Sequence, residues 1–221
     1  MNFSIRHPIN FVSPDFHLSG IGETPIELAL PYKLEDYLQG RRRLSEVAAY
    51  IKDGGVKVLT IHATQGHLTD GGFLDWGGEI MKFAEQLQAR SVVFHPENSA
   101  KKRRLEVQVI ALQNLKTLQR ITDVTVAIET FGGPRRVLTP EEIIFNGLPL
   151  ILDTSHLEQN KTMYLIREHH GGIVGLHLSE TRVDEHPEHQ GETNQHQPVK
   201  DFGFKVLDAL ILKGWTGTVA L

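Results

Sequence analysis

Eight histidine, aspartate and glutamate residues lie at or just after the ends of short apolar runs spread along the chain. They are His62, His95, Glu129, Asp153, His156, His177, Asp184 and His186. Imidazole and carboxylate groups together suit zinc, manganese or cobalt, whereas calcium prefers oxygen ligands alone. The sequence contains no cysteine, so thiolate ligands are excluded. The pattern predicts a site for divalent metal ions, with zinc or manganese favoured.

Two of these residues are carboxylates at the edge of an apolar layer. Glu129 follows Val-Ala-Ile, and Asp153 follows Leu-Ile-Leu. An unpaired charge is costly in such surroundings. A bound cation would offset that cost, which strengthens the prediction of a metal site.

Eight short runs rich in β-branched residues alternate with segments of helical periodicity. The runs are FSIRH, PIELALP, VKVLTIHA, SVVFHP, VTVAIET, LPLILDT, GIVGLHL and GTVAL. Parallel strands need crossover connections, usually helices, so the alternation predicts an α/β fold, a (β/α)8 TIM barrel. The carboxyl ends of the strands form the active-site face of such a barrel. The residues that close five consecutive predicted strands should meet there: His62, His95, Glu129, Asp153 and His177.

The predicted helices lie between these strands. Apolar residues recur at helical spacing in Leu44, Val47, Ala48 and Ile51, and again in Ile80, Phe83, Ala84 and Leu87. The stretch from Arg104 to Ile121 reads as one amphipathic helix. Thr139, Pro140 and Glu142 have the pattern of a capping box with proline at the first helical position. The segment from Val183 to Val199 has no periodicity, which predicts a long loop after the seventh strand.

Length, composition and charge restrict the class of protein. A chain of 221 residues with 40% hydrophobic content is expected to form one domain over residues 1–221. The net charge of −4 disfavours a nucleic-acid partner, because duplex binding normally requires a basic surface. No run approaches the roughly 20 apolar residues that span a bilayer, and the start has no signal-peptide pattern. We expect a cytoplasmic protein with no membrane partner.

Several motifs together resemble one known superfamily. IHATQGHLTD, VVFHPEN, AIET, LDTSH and HLSE are similar to segments of the endonuclease IV and xylose isomerase-like TIM barrels, which are metal-dependent and include sugar epimerases. The resemblance runs from about PIELALP to the last residue. It implies that Glu129, Asp153 and His177 hold a central metal. His62, His95 and His156 match the histidines of members with two or three metals.

The histidine-containing segment after the seventh strand fits two branches of this superfamily. RVDEH resembles the endonuclease IV pattern and would make Asp184 and His186 ligands of a third metal. HQPV resembles the sugar-isomerase pattern, in which His196 would contact the substrate. We expect Asp184 and His186 to bind metal and His196 to bind substrate, with exposed loop positions as the alternative for each.

The superfamily also has a final glutamate ligand directly after the eighth strand. The printed sequence stops at Leu221, one residue short of that position. The resemblance therefore implies that this ligand either follows Leu221 or is replaced by a residue from another element.

Three functions are compatible with these residues. In the first, one to three divalent ions polarise an oxygen of a sugar or sugar phosphate while Glu129 moves a proton, which gives isomerisation or epimerisation. In the second, a multinuclear zinc site cleaves abasic DNA, as in endonuclease IV. In the third, the barrel binds a metal or a sugar without turnover. The acidic balance, the short chain and ATQ after His62, where the endonuclease branch has Pro-Tyr, favour the first.

Overall fold

The structure is a computed structural model that describes residues 2–8, 24–96, 104–131, 136–183 and 193–221. Eight parallel strands close into a barrel in the order β1-β10-β7-β6-β5-β4-β3-β2. Their bounds are β1 Asn2–Pro8, β2 Ile26–Ala29, β3 Val58–His62, β4 Ser91–Phe94, β5 Thr125–Glu129, β6 Leu150–Asp153, β7 Ile173–His177 and β10 Thr218–Ala220. Each corresponds to one of the eight predicted runs, and the TIM-barrel prediction is confirmed.

Seven α-helices lie within the described ranges. They are α1 Leu34–Gly40, α2 Leu44–Asp53, α3 Phe73–Gln86, α4 Arg104–Arg120, α5 Pro140–Phe145, α6 Gln159–His169 and α7 Asp201–Leu212. The capping box predicted at the start of α5 is present, with the Thr139 N–H donating to Glu142 Oε2 at 2.8 Å. Across the same ranges, no helix combines the length and apolarity needed to cross a membrane.

The described part of the segment after β7 contains strands where a loop from Val183 to Val199 was predicted, and residues 184–192 of that loop lie outside the described residues. Two further strands, β8 Glu180–Val183 and β9 Thr193–Gln197, pair antiparallel with Val183 opposite Thr193. Their residues are polar almost throughout, so no alternation of apolar and polar side chains marks them in the sequence. Backbone hydrogen bonds between the strands define this hairpin, and residue composition does not reveal such bonds.

The barrel contains an inner apolar layer beside the ionisable residues. Val93, Ala127 and Ile151 form a buried cluster inside the barrel, separate from the large core between strands and helices. Each lies two positions before a site candidate, namely His95, Glu129 and Asp153. Side chains two positions apart on a strand point to the same face. The cluster is therefore an apolar floor directly beneath the ionisable side chains, and it lowers their access to water.

Gly217 precedes β10 and lies against β7, at the opposite end of these strands from the site. A Cβ atom at this position would lie 2.1 Å from the Trp215 ring and 2.5 Å from the Val174 carbonyl oxygen. The Trp215 Nε1–H donates to the Ile173 carbonyl oxygen at 2.6 Å, which fixes the ring against β7. The contact between β7 and β10 therefore requires glycine here.

We predict that Gly217→Ala lowers the free energy of unfolding by about 1–3 kcal/mol, because overpacking forces the ring or the strands apart. Gly78→Ala is the matched control, since a Cβ at this buried α3 position meets nothing within 4 Å. Alanine in a helix interior is favoured over glycine by up to about 1 kcal/mol. Urea unfolding followed by circular dichroism measures both variants. Unchanged stability of Gly217→Ala would contradict the packing argument.

Candidate metal centre

The strand register brings the predicted residues to one end of the barrel. Asp153 lies opposite His177 in the β6–β7 pair, and His62 closes β3 opposite Ala29 of β2. Glu129 closes β5, and His95 directly follows β4. These five polar side chains are buried, although neighbouring core positions are apolar. The active-site face expected from the sequence is therefore the face on which they meet.

Glu129 is the centre of the cluster, because three imidazoles approach its carboxylate. Its Oε2 lies 2.8 Å from His95 Nε2 and 3.4 Å from His62 Nε2. Its Oε1 accepts a hydrogen bond of 2.5 Å from His177 Nδ1. One carboxylate thus joins side chains from three other strands or strand ends.

Asp153 is held with one oxygen directed towards this cluster. Its Oδ1 accepts hydrogen bonds of 2.7 Å from the N–H and the hydroxyl of Ser155. Its Oδ2 lies 3.5 Å from His156 Nδ1 and 3.7 Å from His177 Nδ1. The Asp153 N–H donates to Thr130 Oγ1 at 2.8 Å, which anchors the backbone as well. The local turn after β6 therefore orients the carboxylate before any ligand arrives.

Three overlapping groups of side chains each place one ligand atom per residue within 4.8 Å of the others: His62, His95 and Glu129; Glu129, Asp153 and His156; and Glu27, His62 and His177. Several buried atoms in the described part of the chain have no hydrogen-bond partner, including His62 Nε2, Glu129 Oε2 and Asp153 Oδ2. Buried polar atoms are normally paired. Mixed nitrogen and oxygen donors left unpaired in this way fit a divalent transition metal.

The pKa values of His62 and His177 are shifted in opposite directions by their surroundings. Burial lowers the pKa of His62 to about 4, and the neighbouring His95 adds to this effect. Burial also disfavours a charge on His177, but the carboxylates of Glu27 and Glu129 outweigh it and raise the pKa of His177 well above 6.5. Burial raises the pKa of Glu129, and the opposing effect of His177 and His62 holds that pKa well below 4.5. Without metal, His177 is therefore an imidazolium between two carboxylates.

The structure brings together six of the nine predicted site residues: His62, His95, Glu129, Asp153, His156 and His177. In the predicted central set, His177 contacts both Glu129 and Asp153. Glu129 and Asp153 share one group of potential ligands, and His177 belongs to another. Asp184 and His186 lie outside the described residues. His196 belongs to β9, and its side chain also lies outside the described part.

Glu27 on β2 is a site residue that the sequence analysis missed. It is buried, and its Oε2 lies 2.9 Å from His177 Nε2. The available signal was the single carboxylate in the otherwise apolar run PIELALP. The pattern used to predict the site included only residues at the ends of strands, and Glu27 lies two positions before the end of β2.

A cavity of about 470 Å³ lies beside Glu27 and His177, and two further cavities, which adjoin each other, also reach the cluster within the described part of the chain. A small one of about 120 Å³ is lined by His62, His95, Glu129 and His156 among others. A larger one of about 420 Å³ shares Tyr32, Gln65 and His95 with it and is also lined by Arg136. The Arg136 guanidinium stacks 4.4 Å from the centre of the Phe131 ring and donates to the Pro96 carbonyl oxygen at 3.1 Å. A cation is thus fixed at the edge of the cavity of about 420 Å³.

We predict that the purified protein holds divalent metal and that Asp153→Ala removes the ion bound with Glu129 and His177, because the remaining donors no longer surround it. The double change of His62 and His95 to Ala is expected to lower the metal content without emptying this central position. Elemental analysis measures both. His169→Asn, at the distant end of α6, is the control. Equal metal content in Asp153→Ala and the unchanged protein would refute the assignment.

Metal binding is also predicted to depend on pH. Near neutral pH, chelator-treated protein should release about one proton per Mn²⁺ bound, because His177 must lose its Nδ1 proton to become a ligand. His62, with a pKa of about 4, is already neutral and contributes none. Affinity should therefore rise with pH until the pKa of His177 is passed. Calorimetry in buffers with different ionisation enthalpies gives the proton count, and a count of zero would contradict the charge state of His177.

Comparison with known proteins establishes the fold. No protein-family model and no curated protein matches the chain. Among solved structures, a xylose isomerase domain-containing protein from Salmonella typhimurium has a TM-score of 0.71 at 17% identity, covering 99% of this chain and 87% of the other. The 3-keto-D-glucoside 4-epimerase of E. coli has a TM-score of 0.68 at 15% identity, covering 100% and 90%.

Endonuclease IV from Thermus thermophilus is also similar, with a TM-score of 0.61 at 18% identity over 100% of this chain and 92% of the other. These are the two branches of the superfamily that the sequence motifs resemble. At such low identity the similarity extends to the fold and not to a reaction. The chain has the barrel fold shared by xylose isomerase-like sugar epimerases and endonuclease IV.

Proposed function

We propose that the protein is a divalent-metal-dependent isomerase or epimerase of a sugar or sugar phosphate. The observation that supports this most directly is the buried set of imidazole and carboxylate donors centred on Glu129, next to a cavity of about 420 Å³. A site of this size suits a small polar molecule enclosed on most sides. Of the donors, His95 lines this cavity, and His62, Glu129 and His156 line the small cavity that adjoins it. A reacting oxygen would bind where the two cavities meet.

Glu129, Asp153 and His177 are the proposed ligands of a central ion, with His62, His95 and His156 available for one or two more. A zinc or manganese ion in this position supplies polarisation of a carbonyl or hydroxyl oxygen of the substrate. The apolar floor formed by Val93, Ala127 and Ile151 limits water beneath the ligands, so electrostatic interactions in the site are strong.

Glu129 is the proposed group that moves the proton between substrate carbons or oxygens. Its lowered pKa keeps the carboxylate ionised near neutral pH, which a proton acceptor requires. In an isomerisation one such group takes up a proton and delivers a proton within the same turnover.

Two further observations support a sugar substrate. Arg136 can present a planar set of N–H donors to a phosphate or to hydroxyl oxygens in the cavity. Two proteins with the same fold are described as a 3-keto-D-glucoside 4-epimerase and a D-tagatose 3-epimerase-like protein. His196 remains a proposed substrate contact, as the HQPV pattern implies.

The alternative is cleavage of abasic DNA by a multinuclear zinc site, with Asp184 and His186 completing a third position. His156 supports it, because this side chain lies beside Asp153 and adds a further nitrogen donor. The net charge of −4 opposes it, since DNA affinity depends on phosphate contacts that release counterions.

We predict metal-dependent exchange of a substrate C–H with deuterium from the solvent, at a carbon next to a sugar carbonyl. Manganese-loaded full-length protein is incubated with a panel of ketoses, aldoses and their phosphates in deuterated buffer, and NMR measures the exchange. Asp153→Ala should lower the rate by at least about 100-fold, because loss of the central ion removes the polarisation of the substrate oxygen, which is worth several kcal/mol. His169→Asn should exchange at the unchanged rate.

The same preparation is tested on duplex DNA with an abasic site, and we expect no catalytic nicking. Efficient nicking that falls steeply with salt and is lost on changing His156 would overturn the sugar assignment in favour of the nuclease. Binding of a sugar with no exchange on any member of the panel would instead favour a barrel that binds without turnover.

A further inference from the structure

Glu27 has surroundings that differ from those of the other carboxylates in the site. It is 2% exposed, and within the described residues its Oε1 has no hydrogen-bond partner. Arg6 approaches this oxygen only to 3.7 Å through Nε and is itself partly exposed. The other oxygen, Oε2, accepts a hydrogen bond of 2.9 Å from His177 Nε2. His177 is therefore the main partner of a buried charge.

The strand register explains how a residue from β2 reaches a side chain of β7. Ala29, and not Glu27, lies opposite His62 at the level of the cluster. Ala220 of β10 lies opposite His177. Both alanines are small, so the described positions that face His62 on β2 and His177 on β10 leave space beside these two side chains. The longer Glu27 side chain comes from one layer below and extends through the space that they leave.

We propose that Glu27 is a positioning residue that holds His177 with its Nε2–H on the carboxylate and its Nδ1 directed at Glu129 and Asp153. The proposal rests on the proposed metal site, because it defines which nitrogen of His177 serves as the ligand. The two ring nitrogens face opposite partners, with Nε2 towards Glu27 and Nδ1 at 2.5 Å from Glu129 Oε1 and 3.7 Å from Asp153 Oδ2.

This arrangement makes His177 a better ligand in two ways. A carboxylate that accepts the Nε2 proton fixes the tautomer, so that the lone pair is on Nδ1, where the ion is expected. It also increases the electron density of the ring and restricts its rotation. Loss of such a partner typically lowers metal affinity by about 10–100-fold while the ligand itself remains in place.

Direct ligation by Glu27 is the competing interpretation, because Glu27, His62 and His177 have ligand atoms within 4.8 Å of one another. The position of Arg6 argues against it. A guanidinium 3.7 Å from the Glu27 carboxylate repels a cation placed there. No arginine or lysine side chain lies among the hydrogen bonds and ion pairs described for Glu129 or Asp153, whose partners are imidazole, hydroxyl and backbone N–H groups.

The test compares Glu27→Gln and Glu27→Ala in the full chain after chelator treatment. Zinc affinity is measured by competition with a chromophoric chelator, and bound zinc is counted at saturation. Glu27→Ala should bind the same number of ions with affinity reduced about 10–100-fold. Glu27→Gln should lose less, because its amide oxygen still accepts from Nε2–H. Glu168→Gln, the same change at an exposed glutamate on α6, is the matched control.

Nitrogen NMR of histidine-labelled, zinc-loaded protein provides a readout that a purely structural role would not move. His177 should show a protonated Nε2 and a coordinated Nδ1, and the slowly exchanging Nε2 proton should be lost in Glu27→Ala. Unchanged zinc affinity in both variants would overturn the proposal. Loss of a whole ion at saturation would overturn it too, by making Glu27 a ligand.

If Glu27→Ala fails to fold, Glu27→Gln decides alone: affinity equal to that of Glu168→Gln overturns the proposal, and a reduced affinity supports it. These measurements do not depend on turnover. A protein that binds zinc as expected and exchanges no sugar proton would therefore refute the proposed function and leave the role of Glu27 standing.

Discussion

The contact between the Glu129 carboxylate and three imidazoles is the interaction on which the site depends. His62, His95 and His177 reach Glu129 from β3, from the end of β4 and from β7, so their positions relative to it follow from the register of the barrel. An isolated carboxylate at this depth would be strongly destabilising. Without metal, the proton on His177 offsets the charge of the buried carboxylates. A bound divalent ion would replace that proton.

The barrel architecture explains why these donors can remain unpaired. The apolar floor below them and the surrounding core define strand positions independently of the ionisable groups. The turn from Asp153 to Ser155 likewise fixes one carboxylate oxygen through local hydrogen bonds. Preorganisation of this kind reduces the reorganisation that binding requires. The apolar core stabilises the fold, so the ionisable cluster remains available for chemistry.

Strand ends were predictable from the sequence, and contacts across the barrel were not. The apolar runs ending in His62, Glu129, Asp153 and His177 are local patterns, and the parallel-barrel rule places their ends together. Glu27 lies inside its strand, and its value comes from a contact with a residue 150 positions later in the chain. The β8–β9 hairpin was missed because polar strands have no periodic signal. The sequence therefore predicted the residues that follow a repeated strand pattern. It did not predict contacts that one particular pair of residues or strands makes.

The order of the strands links the Glu27–His177 contact to the closure of the barrel during folding. In the closed barrel, β10 and β1 lie between β7 and β2, and Asn2 pairs with Thr218. Strands from opposite ends of the chain thus form the junction that this contact spans. Pairing over such sequence separation is slow, because the entropy of closing the loop is lost first. The Glu27–His177 contact thus belongs to the closure of the barrel, and His177 acquires its orientation with that step.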